Sequence, residues 1–248
     1  MFRKNVRTFL FAFSLLGAAA LACKKDSKDE AEPFKCVACT TQPQALAAND
    51  ASSKGIYKGV IIGSSGTIAF NVLNSGTTIT AVMVIDGITA NLTSSITWVS
   101  GQAYVAPFTG TLNGAAVIIN FSVNATGAGP VVLSSTIPGH GSAQFRLVKE
   151  TSTSLLEAFE GTYSTTLPET GTFNLLMSRT LGQFGGASRK TAGTSNGNFD
   201  GNVDAAGKMT MNAGSGSTVI GNVSADEISG SFKDSNGITV TITAKRTL

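Results

Sequence analysis

The chain is poor in the side chains that carry chemistry. Its 248 residues include one histidine, three cysteines and one tryptophan, and only 13% are Asp, Glu, Lys or Arg. A structural zinc site takes four Cys or His ligands, more than Cys36, Cys39 and His140 can supply once Cys23 is otherwise used. No Asp-x-Asp-x-Asp calcium loop is present. The lone His140 lies in Pro138-Gly139-His140-Gly141, which is turn chemistry. As a general base it needs a nucleophile and an orienting acid to converge on it, and it is expected to be a loop residue. No metal and no cofactor is expected. Runs with helical period are nearly absent as well, which points away from a helical or α/β fold.

Charge is missing from one long stretch. Between Val60 and Phe145 the only Asp, Glu, Lys or Arg is Asp86, and Thr, Ser, Asn and Gln fill the polar positions. A soluble surface normally mixes charges of both signs. This half therefore presents a hydroxyl-rich and amide-rich exterior.

The one long apolar run is at the start. Arg3, Lys4 and Arg7 precede a stretch from Phe9 to Ala22 broken only by Ser14 and Gly17, and the charged Lys24-Lys25-Asp26 follows Cys23. That is the layout of a cleaved export signal, and the run is short for a spanning helix of about 20 residues. Leu21-Ala22-Cys23 resembles the lipobox of bacterial lipoproteins, with Ala20 where a leucine is common. The resemblance implies cleavage after residue 22 and diacylation of Cys23. The charged Lys24 to Glu30 is similar to the export signal of Bacteroidetes-type surface lipoproteins, which implies an outer-membrane anchor facing the cell exterior. Two or more acyl chains hold a protein stably on a bilayer.

Removal of residues 1–22 also changes the electrostatics. The formal charge of +3 disappears with Arg3, Lys4 and Arg7, because the remaining basic residues equal the 15 acidic ones. Without a basic stripe there is no footprint for a phosphate backbone, and a nucleic-acid partner is excluded. The membrane is the partner expected through the lipid on Cys23, together with an unidentified glycan or protein.

What the rest of the sequence offers is β structure. There are 28 glycines, and short alternating runs such as Ile68-Ala69-Phe70-Asn71-Val72 and Val240-Thr241-Ile242 recur between turn signals. Asp86-Gly87, Asn113-Gly114, Asn196-Gly197 and Asn236-Gly237 are dipeptides suited to hairpin turns, where both central residues take positive φ. Four anchors repeat in order. Gly55-Ile56-Tyr57, Gly66 to Phe70, Phe108 to Leu112 and Gly141 to Lys149 match Gly161-Thr162-Tyr163, Gly171 to Leu175, Phe199 to Val203 and Gly237 to Arg246. The expected fold is all-β, two tandem Gly-rich antiparallel units, each a small barrel or sandwich, by internal duplication. The expected boundaries are a signal at 1–22, a disordered lipidated tether at 23–54, one β unit at 55–150 and a second at 151–248. Ser154 to Gly161 reads as a short leading helix of the second unit, with Ser154 and Glu157 in capping-box positions.

Three sets of residues are candidate sites. Cys36 and Cys39, with two residues between them in an exported segment, are expected to form a local disulfide, with thiol exchange as the alternative. Trp98, Tyr104 and Phe108 are aromatic residues in the uncharged stretch. They are either core or a stacking surface for sugar rings. Asp200, Asp204, Asp226, Glu227 and Asp234 lie near predicted turns, where aspartate usually bonds to its own backbone. The sequence thus leads to a membrane-anchored, non-enzymatic lipoprotein with a binding or structural role. The alternatives are a carbohydrate-binding accessory lipoprotein, a redox or enzymatic protein using Cys36 and Cys39 or His140, and, by architectural analogy alone, tandem barrels that capture another protein. Replacing Cys23 by Ser is expected to abolish incorporation of labelled palmitate and to release the protein from the membrane fraction.

Overall fold

A computed structural model describes residues 32–213 and 216–248. Cys23 and the expected signal at 1–22 lie outside them. Among the described residues, sixteen strands fall into two sets of eight. The first is β1 (Gly55–Ile62), β2 (Gly66–Val72), β3 (Ile79–Ile85), β4 (Ile88–Ser94), β5 (Tyr104–Leu112), β6 (Ala115–Val123), β7 (Val131–Thr136) and β8 (Gln144–Glu150). The second is β9 (Glu157–Thr165), β10 (Thr170–Ser178), β11 (Gln183–Lys190), β12 (Asn196–Val203), β13 (Lys208–Ala213), β14 (Gly216–Ser224), β15 (Glu227–Lys233) and β16 (Thr239–Arg246). Each set is an antiparallel meander whose last strand returns to pair with its first. The second set closes fully into a barrel, whereas the first is an eight-stranded sheet with β7 and β8 as its edges.

The alternation read from the sequence is what the strands use. Along β2, Ile68, Phe70 and Val72 are wholly buried, and Ile79, Ala81, Met83 and Ile85 line the same interior from β3. Asp86-Gly87 and Asn113-Gly114 form tight turns with positive φ at both residues. Asn196-Gly197 does not turn. It opens β12, where Asn196 accepts a hydrogen bond from Arg189 Nε and donates one to Gln144.

The expected helix at Ser154 to Gly161 is corrected to strand. Ser154 makes an isolated bridge to Thr151, and β9 begins at Glu157, paired with β10 on one side and β16 on the other. One turn of helix is a costly nucleus, while this segment gains two ladders. Phe159 points into the barrel and Ala158 out of it, so the apolar residues serve opposite faces of a strand. Glu157 forms ion pairs with Arg179 and Arg246.

The tether is corrected over its described part. Residues 33–54 lie along both units. Cys36 N–H donates to Asp226, Arg246 donates to the Thr40 carbonyl, Gln44 N–H donates to Glu150 and Leu46 N–H donates to Asn74. The Lys149 ammonium then takes the carbonyls of Asn49, Asp50 and Ser52 as the strap turns into β1. Its polar composition argued for disorder, but its backbone groups find partners on the body.

Strand β1 joins the halves. All eight of its residues are buried, on both faces. Tyr57 and Ile61 belong to the first core, while Val60 and Ile62 pack outward against Ala158, Leu176 and Ala187 of the second unit. Where β1 outruns its ladder with β2, Asn174 donates to the carbonyl of Ile61. Arg189 crosses the same boundary to Ser142, its guanidinium lying against Gly63, where φ is +91° and a Cβ would collide with it. Lys58, also on the outer face, is fully buried and pairs with Glu150 at 2.6 Å. It donates besides to the Leu156 carbonyl, and Glu150 accepts the N–H groups of Gln44 and Leu156.

Three of the four repeat anchors fall on strands of equal rank, first, second and eighth in each set. The third does not, since Phe108 lies in the fifth strand of its set and Phe199 in the fourth. Removing one member of a buried, hydrogen-bonded ion pair leaves an uncompensated charge. Lys58→Met is therefore expected to lower stability by about 3–5 kcal/mol in urea unfolding, and Lys58→Met combined with Glu150→Met to cost less than the two single changes added together.

Candidate functional site

The two interiors differ. In the first unit large side chains meet on the axis: Phe70 and Phe121 stack at 4.5 Å between centroids, Phe108 meets Phe70 edge-on at 4.9 Å, and Tyr57 lies 5.2 Å from Phe121. That interior is filled.

The second barrel is packed at one end and hollow at the other. Phe159, Met177, Phe184, Val203, Val223 and Ile228 are buried and close the end toward the β10–β11 and β14–β15 turns. Toward the β9–β10, β11–β12 and β15–β16 connections the lumen opens into a cavity of about 840 Å³. Tyr163, Phe173, Phe199, Met211, Phe232 and Val240 form its wall, with Met209 and Ile220 deeper. Tyr163, Phe199, Met211, Phe232 and Val240 face inward yet are only partly buried, because part of each side chain borders empty space.

Glycine makes the room. An inward-facing glycine sits opposite an inward-facing side chain across several ladders: Gly161 opposite Phe173, Gly171 opposite Tyr163, Gly186 opposite Leu175 and Gly230 opposite Ile242. Gly201 of β12 likewise pairs with Phe184 of β11 and Met211 of β13. A Cβ at Gly171 would stand 2.5 Å from the Tyr163 ring, one at Gly161 2.7 Å from the Phe173 ring, and one at Gly201 2.6 Å from the Phe184 ring. Each of these rings thus occupies the space that a glycine leaves on the neighbouring strand. An eight-stranded barrel is just wide enough to be filled by its side chains or to hold one small ligand. Here the glycines tip the balance to the second case.

The rim carries a small polar group. Lys190 Nζ and Glu169 Oε2 are 2.6 Å apart, and the Tyr163 hydroxyl donates to Glu169 Oε1 at 3.2 Å. The hydrogen bond from Lys190 holds the Glu169 carboxyl below its usual range, and burial pushes the Tyr163 hydroxyl up. Asp234 accepts the N–H groups of Asn236 and Ile238 in its own turn.

The residues singled out in sequence lie elsewhere. Tyr104 and Phe108 are 2% and 0% exposed in the first core, so no aromatic platform for sugar exists there. Trp98 packs at the edge of that core, donates to Ser53 and carries Lys54 over its ring. It anchors the strap. Cys36 and Cys39 are joined as a disulfide in the strap. His140 meets Ser64 at 2.7 Å and Asp86 at 3.8 Å. Both reach the same ring nitrogen, Nδ1, whereas a proton relay uses one nitrogen for the acid and the other for the nucleophile. Asp204 and Asp234 bond to their own turns, Asp226 takes Arg246 and Cys36 N–H, and Asp200 takes Asn212.

One motif was legible and missed. Gly193-Thr194-Ser195-Asn196-Gly197 has the Gly-x-Ser-x-Gly spacing of a nucleophile elbow, and its Ser195 lies on the cavity rim. That elbow requires a strand-to-helix turn. Here the segment joins β11 to β12, and Asn196 is already strand. The cavity itself had one sequence signal, the inward glycines interleaved with Tyr163, Phe173 and Phe199.

No family model matches the chain, and no curated protein matches its sequence.

At Gly171 the built Cβ also falls 2.3 Å from the Arg189 carbonyl, so strand as well as ring must move. Gly171→Ala is expected to cost about 1–3 kcal/mol in urea unfolding and to weaken any occupant of the lumen, read by probe titration.

Proposed function

We propose that the protein is a lipid-anchored binding protein of the bacterial envelope, whose second barrel holds a small apolar molecule and whose first unit is the platform that carries it. The observation that supports this most is the contrast between the two interiors, one filled by meeting aromatic rings and the other left open at about 840 Å³ with an apolar wall. Ligand sites are typically concave, mostly apolar cavities of about 300–1,000 Å³ with a few polar groups placed to orient the occupant. The lumen with its Tyr163, Glu169 and Lys190 rim fits that description. Anchoring is read from Cys23 and the signal before it, and it keeps the barrel at a membrane surface, the outer face of the cell in this reading. The role is capture or carriage, without chemistry on the ligand.

The purified protein is expected to bind the neutral fluorophore N-phenyl-1-naphthylamine saturably, with a blue-shifted emission. Met211→Trp and Val240→Trp place a ring in the empty space and are expected to weaken that binding at least about tenfold with an unchanged circular-dichroism spectrum. Absence of saturable binding by the unaltered protein, or full binding by both filled variants, would refute the reading.

A further inference from the structure

We infer that the occupant of the second barrel is a rigid molecule of fused rings, broad and flat, in preference to a straight hydrocarbon chain. This rests on the lumen being a binding site and adds the shape of what it takes. The first observation is the width of the bore. From Leu175 at the floor to Glu169 at the rim the wall runs six residues, along β10 and the residue before it. A strand rises about 3.3 Å per residue and tilts about 35–45° in a closed barrel, so the lumen is about 15 Å deep. A volume of about 840 Å³ over that depth and the connections above it gives a mean bore of about 7–8 Å. Carbon atoms in contact stand about 3.5–4.0 Å apart, so an extended methylene chain is only about 4–5 Å across. One such chain leaves roughly half of the cross-section or more empty, and the wall atoms that face the gap lose their dispersion partners.

The second observation is the arrangement of the wall. Tyr163, Phe173, Phe199 and Phe232 bring rings to the cavity from β9, β10, β12 and β15. In the closed order of eight strands, none of these four lies directly across from another. The strand across from β9 is β13, which carries Met209 and Met211, and the strand across from β12 is β16, which carries Val240. A flat ring system between them stacks on aromatic faces at one side and meets thioethers, which favour aromatic contacts, at the other. The wall is also held in place. Tyr163 is tied at its hydroxyl to Glu169, and its ring and that of Phe173 occupy the space left by Gly171 and Gly161. A rigid occupant enters such a bore without ordering rotors of its own, whereas one chain or a pair of chains must give up its internal freedom.

The test compares three uncharged ligands by calorimetry, with the purified protein injected into each ligand below its solubility limit. They are 1-pyrenemethanol, decan-1-ol, which leaves water for octanol about as favourably, and 1,2-dihexanoylglycerol, which fills the width with two chains. The pyrene compound is expected to bind about tenfold more tightly than either of the others, and Met211→Trp and Val240→Trp to weaken it at least about tenfold. Decan-1-ol or dihexanoylglycerol that matches or exceeds it overturns the inference while leaving the cavity reading intact. So does a pyrene compound that binds both filled variants as tightly as the unaltered protein, or a protein that binds N-phenyl-1-naphthylamine but none of the three. A protein that binds neither that probe nor these ligands removes both readings.

Discussion

Strand β1 has water on neither face, and that constraint organises the molecule. As the first strand of a meander it pairs with both β2 and β8, so its inward residues are committed to one core. Its outward residues, Val60 and Ile62, are spent on the second unit, where burial of each such side chain contributes about 1.5–3 kcal/mol. Between Ile56 and Val60 stands Lys58, an ammonium with no route to solvent. It is tolerable only because Glu150 and the Leu156 carbonyl surround it. Glu150 in turn orders the strap through Gln44 and the inter-unit link through Leu156. One ion pair thus fixes the place of three segments, a form of specificity that an apolar contact would provide less sharply.

With the second barrel held by its outer wall, its interior is freed from structural duty. Closure into a full barrel satisfies every strand edge. Stability of the closed end comes from Phe159, Met177, Phe184 and their neighbours. The open end is then able to keep rings against the wall over Gly161 and Gly171 without collapse, a geometry the first unit reverses by driving Phe70, Phe108 and Phe121 together. Both units are made from the same eight-stranded plan. The difference between them is a handful of side-chain volumes.

Much of the fold was legible. The alternation Ile68, Phe70, Val72 and the Asp86-Gly87 and Asn113-Gly114 turns are local signals, and local sterics decide them. Signals that depend on distant partners misled. Ser154 to Gly161 carries helix-capping residues, but β10 and β16 lie alongside and offer ladders that no local preference can match. The polar strap looked disordered because its partners, Asp226, Glu150 and Asn74, are far away in sequence. Trp98, Tyr104 and Phe108 stood out as the densest aromatics in an uncharged stretch, yet density along the chain says nothing of which side of a sheet a ring faces.

The sequence by itself determined the near-neutral charge of residues 23–248, the all-β class and the division into two strand-rich halves. Those properties reside in composition and in a period of two, which need no tertiary partner. Only the tertiary structure decided that Lys58 would be buried with Glu150, that residues 33–54 would strap the body, and that the first unit would fill while the closed barrel of the second stayed hollow. Whether a glycine facing inward yields a gap or a seat for a ring depends on which residue stands across the ladder. That pairing is set by register and closure of the whole sheet.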